Sequence, residues 1–298
     1  MKFMLLGFIP LFVALFIKPS FAGDEGKLIS NFNLTTSSGG KLKVNVYAGG
    51  VKIETWSKNE VEVKVYGNDN AEKYFNYNAI SNDEGVSVKS DIKSEYLNKK
   101  DVNLTTEFKI SVPKDYSVDV ITGGGNLSVT NLTGEIKLNS SGGNIKLSKI
   151  VGRVDVSTAG GNLKYDNILG DIMSSTSGGN VKILNFNGNV NVSTSGGNME
   201  LEGMNGEVVA TTSGGNIKLV YAGRNQGIKL NTSAGNINVR VPEDFDAEAD
   251  LTTSLGNINS DFAKVDKESM SAILKVRLNN GGNLLRCETS VGNITLTK

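Results

Sequence analysis

Residues 193–201 read STSGGNMEL, and near-copies surround them: STAGGNLKY at 157–165, STSGGNVKI at 175–183 and TTSGGNIKL at 211–219. The copies follow one another at a constant 18-residue step. The glycines show a finer one: Gly125, Gly134, Gly143, Gly152, Gly161, Gly170, Gly179, Gly188, Gly197, Gly206 and Gly215 recur every nine positions without a break. Alternate nonapeptides differ. One ends in Ser/Thr-Ser-Gly-Gly, whereas the other carries an apolar residue two places before its glycine (Leu132, Ile150, Ile168, Phe186, Met204). The true unit is therefore the pair of nonapeptides, and an 18-residue repeat predicts a solenoid.

Within each half the apolar residues alternate, Ile145 with Leu147, Val154 with Val156, Val190 with Val192. That is strand periodicity, with strands of about five residues and turns of about four. A sandwich or a single-layer meander shows short strands too, but neither makes positions a full repeat apart match better than positions half a repeat apart. A meander also leaves its apolar face bare. The fold expected is all-β: a two-sheet parallel β-solenoid in which each 18-residue block is one coil. Ile136, Val154, Ile172, Val190 and Val208 then form one buried column. Ten or so coils spaced ~4.8 Å apart make a rod on the order of 50 Å long, with a right-handed coil as the default for parallel crossovers.

The organisation expected is a signal peptide at 1–22, an N-terminal β-rich capping region at 23–121, the regular solenoid at 122–240, and irregular C-terminal coils of the same solenoid at 241–298. Insertions near 220–227, 242–250 and 261–278 read as loops. Lys2, the apolar run 3–17 and the small residues Ser20 and Ala22 carry the signal. No cysteine stands near that cleavage point and no second apolar run follows. The sequence thus predicts an exported protein, periplasmic, secreted or at the cell surface, with no transmembrane segment in the mature chain.

Composition excludes much chemistry. The chain has no histidine, which removes the Ser-His-Asp triad, the Cys-His dyad and His-ligated zinc. Cys287 is the single cysteine, so no intrachain disulfide forms. The 31 basic and 31 acidic residues balance, which argues against a nucleic-acid partner.

A glycine-rich turn ending in Asn invites ligand readings. A phosphate loop needs G-x-x-x-x-G-K-[ST] ahead of a helix, and here strands follow the glycines. Calcium β-rolls also use nonapeptides, but their Asp column is missing. The turn residues Gly143, Asn144, Gly161, Asn162, Gly179, Asn180, Gly197, Asn198, Gly215 and Asn216 read as corners, the Asn amides stacking along the rod and the Thr158, Thr176, Thr194, Thr212 column doing likewise. No cofactor and no metal is expected.

Four surface features remain as candidates. Lys146, Lys164, Lys182 and Lys218 form a column interrupted by Glu200, a possible face for an anionic polymer or else a solvated face. The run PEDFDAEAD places Asp246, Glu248 and Asp250 on one side if extended, which could serve a glycosidase or hold calcium. Ser157, Ser175, Ser193 and Thr211 form a flat hydroxyl row like that of ice-binding solenoids, though without their regular threonine pairs. Tyr74, Phe75 and Tyr77 read as cap packing rather than a sugar platform.

The order of blocks is more specific than the turns alone. AGGVKIETWSKNEVEVKV, FKISVPKDYSVDVITGGGNLSV, the central S-G-G-N series, INVRVPEDFDAEADLTTSLGNINSDF and GGNLLRCETSVGNITL together resemble the bacterial adhesin family of exported β-solenoids built from S-G-G-N-I blocks. The resemblance covers nearly all of the chain beyond the signal. It implies a β-solenoid outside the cytoplasm with an adhesive or scaffolding role, and it supplies no catalytic or binding residues. The function expected is non-enzymatic binding or scaffolding at the cell envelope, with a protein, a polysaccharide or an envelope polymer as partner. The alternatives are a carbohydrate-active enzyme using Asp/Glu of the 242–266 loops, and a purely structural spacer.

Overall fold

The computed structural model describes residues 26–96, 103–263, 267–268 and 271–298; the signal peptide expected at 1–22 lies outside them. Every coil gives one strand to each of two sheets. A run of coils follows in sequence order: Ser117–Thr122 with Leu127–Thr130, Ile136–Ser140 with Ile145–Val151, Val154–Thr158 with Leu163–Leu169, Ile172–Thr176 with Val181–Asn187, Val190–Thr194 with Met199–Met204, Val208–Thr212 with Ile217–Tyr221, and Ile228–Ala234 with Ile237–Arg240. Through the regular coils neighbours pair in parallel, one sequence repeat apart, as in Val154↔Ile172 and Leu163↔Val181. The second strands of the coils build a 13-stranded sheet, the first strands a 14-stranded one.

The ends depart from sequence order. Lys41–Val46 and Gly50–Trp56 form a coil that pairs with residues 117–130 on one side. On its other side lie Gly85–Ile92 and Thr106–Pro113. The chain thus lays down its second coil first. The C-terminal end mirrors this: Leu284–Val291 and Ile294–Thr297 sit between residues 228–240 and the coil made by Ala247–Leu255 and Ile258–Ser260. Antiparallel strands then cover the rims. Glu60–Gly67 and Lys27–Thr35 extend the 13-stranded sheet, while Phe75–Asn82 and Ser271–Leu278 lie towards opposite ends of the other. Segments 247–250 and 271–278, expected within loops, are therefore strands. Their alternation explains this, because Ala247, Ala249 and Leu251 are buried between Glu248 and Asp250.

The core is the expected set of columns. Ile136, Val154, Ile172, Val190 and Val208 are all 2% exposed or less, and each such side chain contributes roughly 1.5–3 kcal/mol of burial. The second corner holds a device the periodicity does not show. Asn131, Lys149, Asn167, Asn185 and Asn205 have left-handed backbones, φ 55 to 63°. This kink shifts the alternation by one residue, so Leu132, Ile150, Ile168 and Phe186 turn inward at 1% exposure. Met204 does not join them: it is 45% exposed, and Gly203 stands opposite Phe186 and Tyr221 instead. A Cβ on Gly203 would overlap the Phe186 ring. Two large aromatic side chains fill the volume of this layer, leaving room only for a glycine between them.

At the N-terminal end Asn68 caps the short helix Asp69–Tyr74, its Oδ1 accepting the Ala71 N–H at 3.1 Å. Tyr74 and Phe75 are buried, and Tyr77 is half-buried and donates to the Ala71 carbonyl at 3.0 Å. The aromatics therefore pack in a small core with Ala48, Ala71 and Leu104. Among the described residues no helix is long and apolar enough to cross a membrane.

Candidate functional site: the lysine row and the glycine corner

Alternation sends every second residue of the 13-stranded sheet into solvent, and the constant offset between coils aligns those residues across strands. The register places Lys146, Lys164, Lys182, Glu200 and Lys218 side by side in that order. Beyond Lys146 it adds Ser128, Lys52, Lys109 and Lys64. Sequence reasoning missed these last three lysines, because their coils lie out of chain order. The signal available was the alternation in VKIETW and VEVKVYG, which marks Lys52 and Lys64 as outward-facing.

Like charges one strand apart repel by about 1 kcal/mol or less in water, and acids offset part of the row. Glu200 pairs with Lys182 at 2.6 Å and Lys218 at 3.4 Å. The Lys182 hydrogen bond, with a lesser one from Lys218, holds the Glu200 carboxyl below its usual range. Lys52 pairs with Glu54 at 2.7 Å and Lys64 with Glu62 at 2.8 Å, while Lys109 lies over the Tyr66 ring at 4.9 Å. Lys146 and Lys164, at the centre, are exposed and have no acidic partner among the described residues. The row is most strongly cationic there.

The acidic run is otherwise engaged. Asp246 accepts the Asn280 backbone N–H at 2.9 Å, and Glu248 pairs with Arg277 at 3.2 Å. Asp250 lies 3.8 Å from Lys275 and 3.9 Å from Arg286. Each of these carboxylates has a structural partner. Ser157, Ser175, Ser193 and Thr211 do align on the outer face of the 14-stranded sheet. Among the described residues no group of three metal-ligating His, Cys, Asp or Glu side chains occurs.

The corner explains the repeated motif. Gly143 has φ +105°, and a Cβ there would overlap the Gly125 carbonyl of the coil below. Only glycine lets adjacent coils approach that closely. The Asn side chains stack, but through the backbone: Asn126 Oδ1 accepts the Asn144 N–H at 2.9 Å, and Asn144 does the same for Asn162. The chain continues through Asn162, Asn180, Asn198 and Asn216. An amide-to-amide bond accompanies one step, Asn162 Nδ2 to Asn144 Oδ1 at 3.2 Å. The threonines stack in register, but their hydroxyls bond inward rather than to one another. Thr176, Thr194 and Thr212 donate to the carbonyls of Gly161, Gly179 and Gly197, satisfying oxygens that the sharp turn strands.

A search of curated proteins finds no match. Solved structures similar to this chain include a "putative adhesin" from Bacteroides fragilis, 13% identical over 91% of this chain and 98% of its own, TM-score 0.37. A "putative cell adhesion protein" from Clostridium sporogenes is 14% identical over 90% and 98%, TM-score 0.24. A "putative lipid binding protein" from Parabacteroides distasonis is 13% identical over 90% and 96%, TM-score 0.40. The profile described as Toastrack DUF4097 matches residues 40–297, which takes in both out-of-order ends as well as the regular coils. The chain belongs to the Toastrack DUF4097 family.

Proposed function

We propose that this protein is an adhesin-like, non-catalytic binding protein of the cell envelope, exported by the segment 1–22, whose 13-stranded face holds an anionic polymer along the lysine row. The row itself carries the reading: Lys52, Lys109 and Lys64 extend the Lys146, Lys164, Lys182, Lys218 column across most of one face. A solenoid presents such a surface without needing a cleft. A polymer laid along the rod axis meets one cation per strand spacing at Lys146, Lys164 and Lys182, and long-range attraction brings it there. The engagement of Glu248 and Asp250 by basic partners favours binding over glycoside hydrolysis at the acidic run.

Fluorescence anisotropy with labelled polygalacturonate, against neutral dextran, tests this. Affinity is expected to fall steeply with salt and to drop at least about tenfold in the double variant Lys146→Glu, Lys164→Glu. Equal binding of polygalacturonate by the wild type and the double variant would end the proposal. So would hydrolysis of the polymer that Glu248→Gln abolishes.

A further inference from the structure

At the N-terminal end the glycine corner is not open as it is along the rest of the rod. Corners of three stacked coils, with Gly49, Gly124 and Gly142 among their residues, form a floor almost without side chains. Two segments of the cap, Tyr66–Asn68 and Leu104–Glu107, wall it in. They enclose a cleft of about 650 Å³, within the range of small-ligand sites. Those walls belong to strands that pair only at this end of the sheet, so the equivalent corners at Gly160, Gly178 and Gly196 have no such enclosure.

The lining selects a chemistry. Lys52 and Glu107 give it no net charge, which disfavours a polyanion. Its aliphatic residues Ala48, Val51 and Leu104 are buried beneath the surface at 5%, 2% and 4% exposure, so the side chains that reach into it are mainly polar. Around the rim stand polar groups with no hydrogen-bond partner among the described residues: the Tyr66 phenol, the Glu107 carboxylate and the Ser128 and Ser141 hydroxyls. Asn126 joins them. Its Oδ1 is committed to the Asn144 N–H, which leaves the amide donors unused. Mixed donors and acceptors, one phenol ring edge and a bare backbone floor suit a ligand that is uncharged, flat and rich in hydroxyls. We propose that this cleft binds a short neutral saccharide, with Lys52 and Ser128 shared between its lining and the N-terminal end of the lysine row.

The glycine geometry supplies a matched pair of variants. A Cβ at Gly142 or at Gly160 meets nothing within 4 Å, and neither has a left-handed backbone. A Cβ is therefore accommodated at both, and Gly142, unlike Gly160, lines the cleft. Isothermal titration of the purified protein with maltotriose, cellotriose and chitotriose is expected to show saturable one-to-one binding of at least one of them. Gly142→Leu, melting like the wild type, is expected to abolish it, and Gly160→Leu to leave it intact. Tyr66→Phe and Asn126→Asp, the latter keeping the ladder acceptor, are each expected to weaken it about fivefold to tenfold. Lys164→Glu is expected to leave it unchanged, so failure here and failure of the lysine row are read separately. The proposal is overturned if none of the three saccharides binds, or if Gly142→Leu binds as well as the wild type.

Discussion

Replacing Thr194 by valine removes one hydroxyl from the interior of the corner while keeping the shape of the side chain. Thr194 is 5% exposed, and its Oγ1 donates to the Gly179 carbonyl at 3.0 Å. Gly179 is itself buried, and among the described residues no other donor reaches that oxygen. The substitution therefore strands a buried acceptor, which costs about 1–3 kcal/mol, more than the net worth of an average hydrogen bond. For a chain of this size that is a fall in Tm of roughly 2–4 °C per kcal/mol. Ser193, one residue earlier, faces solvent on the other side of the same strand. Ser193→Ala is accordingly expected to change stability by less than about 0.5 kcal/mol. Urea unfolding followed by circular dichroism, with equal m-values for all three proteins, measures both. Equal costs for Thr194→Val and Ser193→Ala would refute the inward hydroxyl as a structural bond. A cost for Thr194→Val no larger than that of an ordinary surface substitution would do the same.

Further outcomes follow from other positions. Gly161→Ala is expected to prevent or severely weaken folding, since φ is +108° and the new Cβ overlaps the Gly143 carbonyl; Gly160→Ala is expected to be near neutral, and thermal melts compare them. The Glu200 carboxyl is held low by Lys182, so its contribution to stability is present above its unfolded pKa and is lost as pH falls through the lower folded value. Acid titration of Glu200→Gln should then show a flatter loss of stability below about pH 4 than the wild type. The same variant closes the gap in the lysine row and is expected to tighten polygalacturonate binding. Burial pushes the Cys287 thiol well up from its ordinary value, so it should resist a thiol reagent at about pH 8 until denaturant is added.

The regular coils were legible because a parallel solenoid repeats one environment: Val154, Ile172 and Val190 occupy the same place one coil apart, so periodicity in sequence is periodicity in space. The ends were not legible for the same reason. Lys41–Val46 has the strand pattern of any coil, and nothing in KLKVNV says that Ser117–Thr122 rather than Gly85–Ile92 should follow it, since it pairs with both. Lys52 and Lys109 were missed as members of the lysine row on that account. The Asn column was readable as a stack, but its partner was not, because an amide in sequence does not show whether it meets another amide or a backbone N–H. Met204 misled because the pattern counts positions and takes no account of volume; the neighbouring Phe186 and Tyr221 decide that layer. The cleft arises where residues far apart in the chain, Tyr66, Glu107 and Asn126, meet across strands.

The threading of the 284–297 coil bears on how the protein is made. Synthesis is vectorial, and each regular coil emerging from the ribosome finds the previous one ready as a template. That progression stops after residues 228–240. The coil at 247–260 has no parallel partner in the stack until residues 284–297 arrive and slide between the two. Any machinery that moves the chain before that point handles an incomplete rod whose growing edge still has unpaired backbone groups, the kind of edge that invites strand addition from other chains. Completion of the stack closes that window, and the closing piece is held on both faces rather than fraying at a free rim.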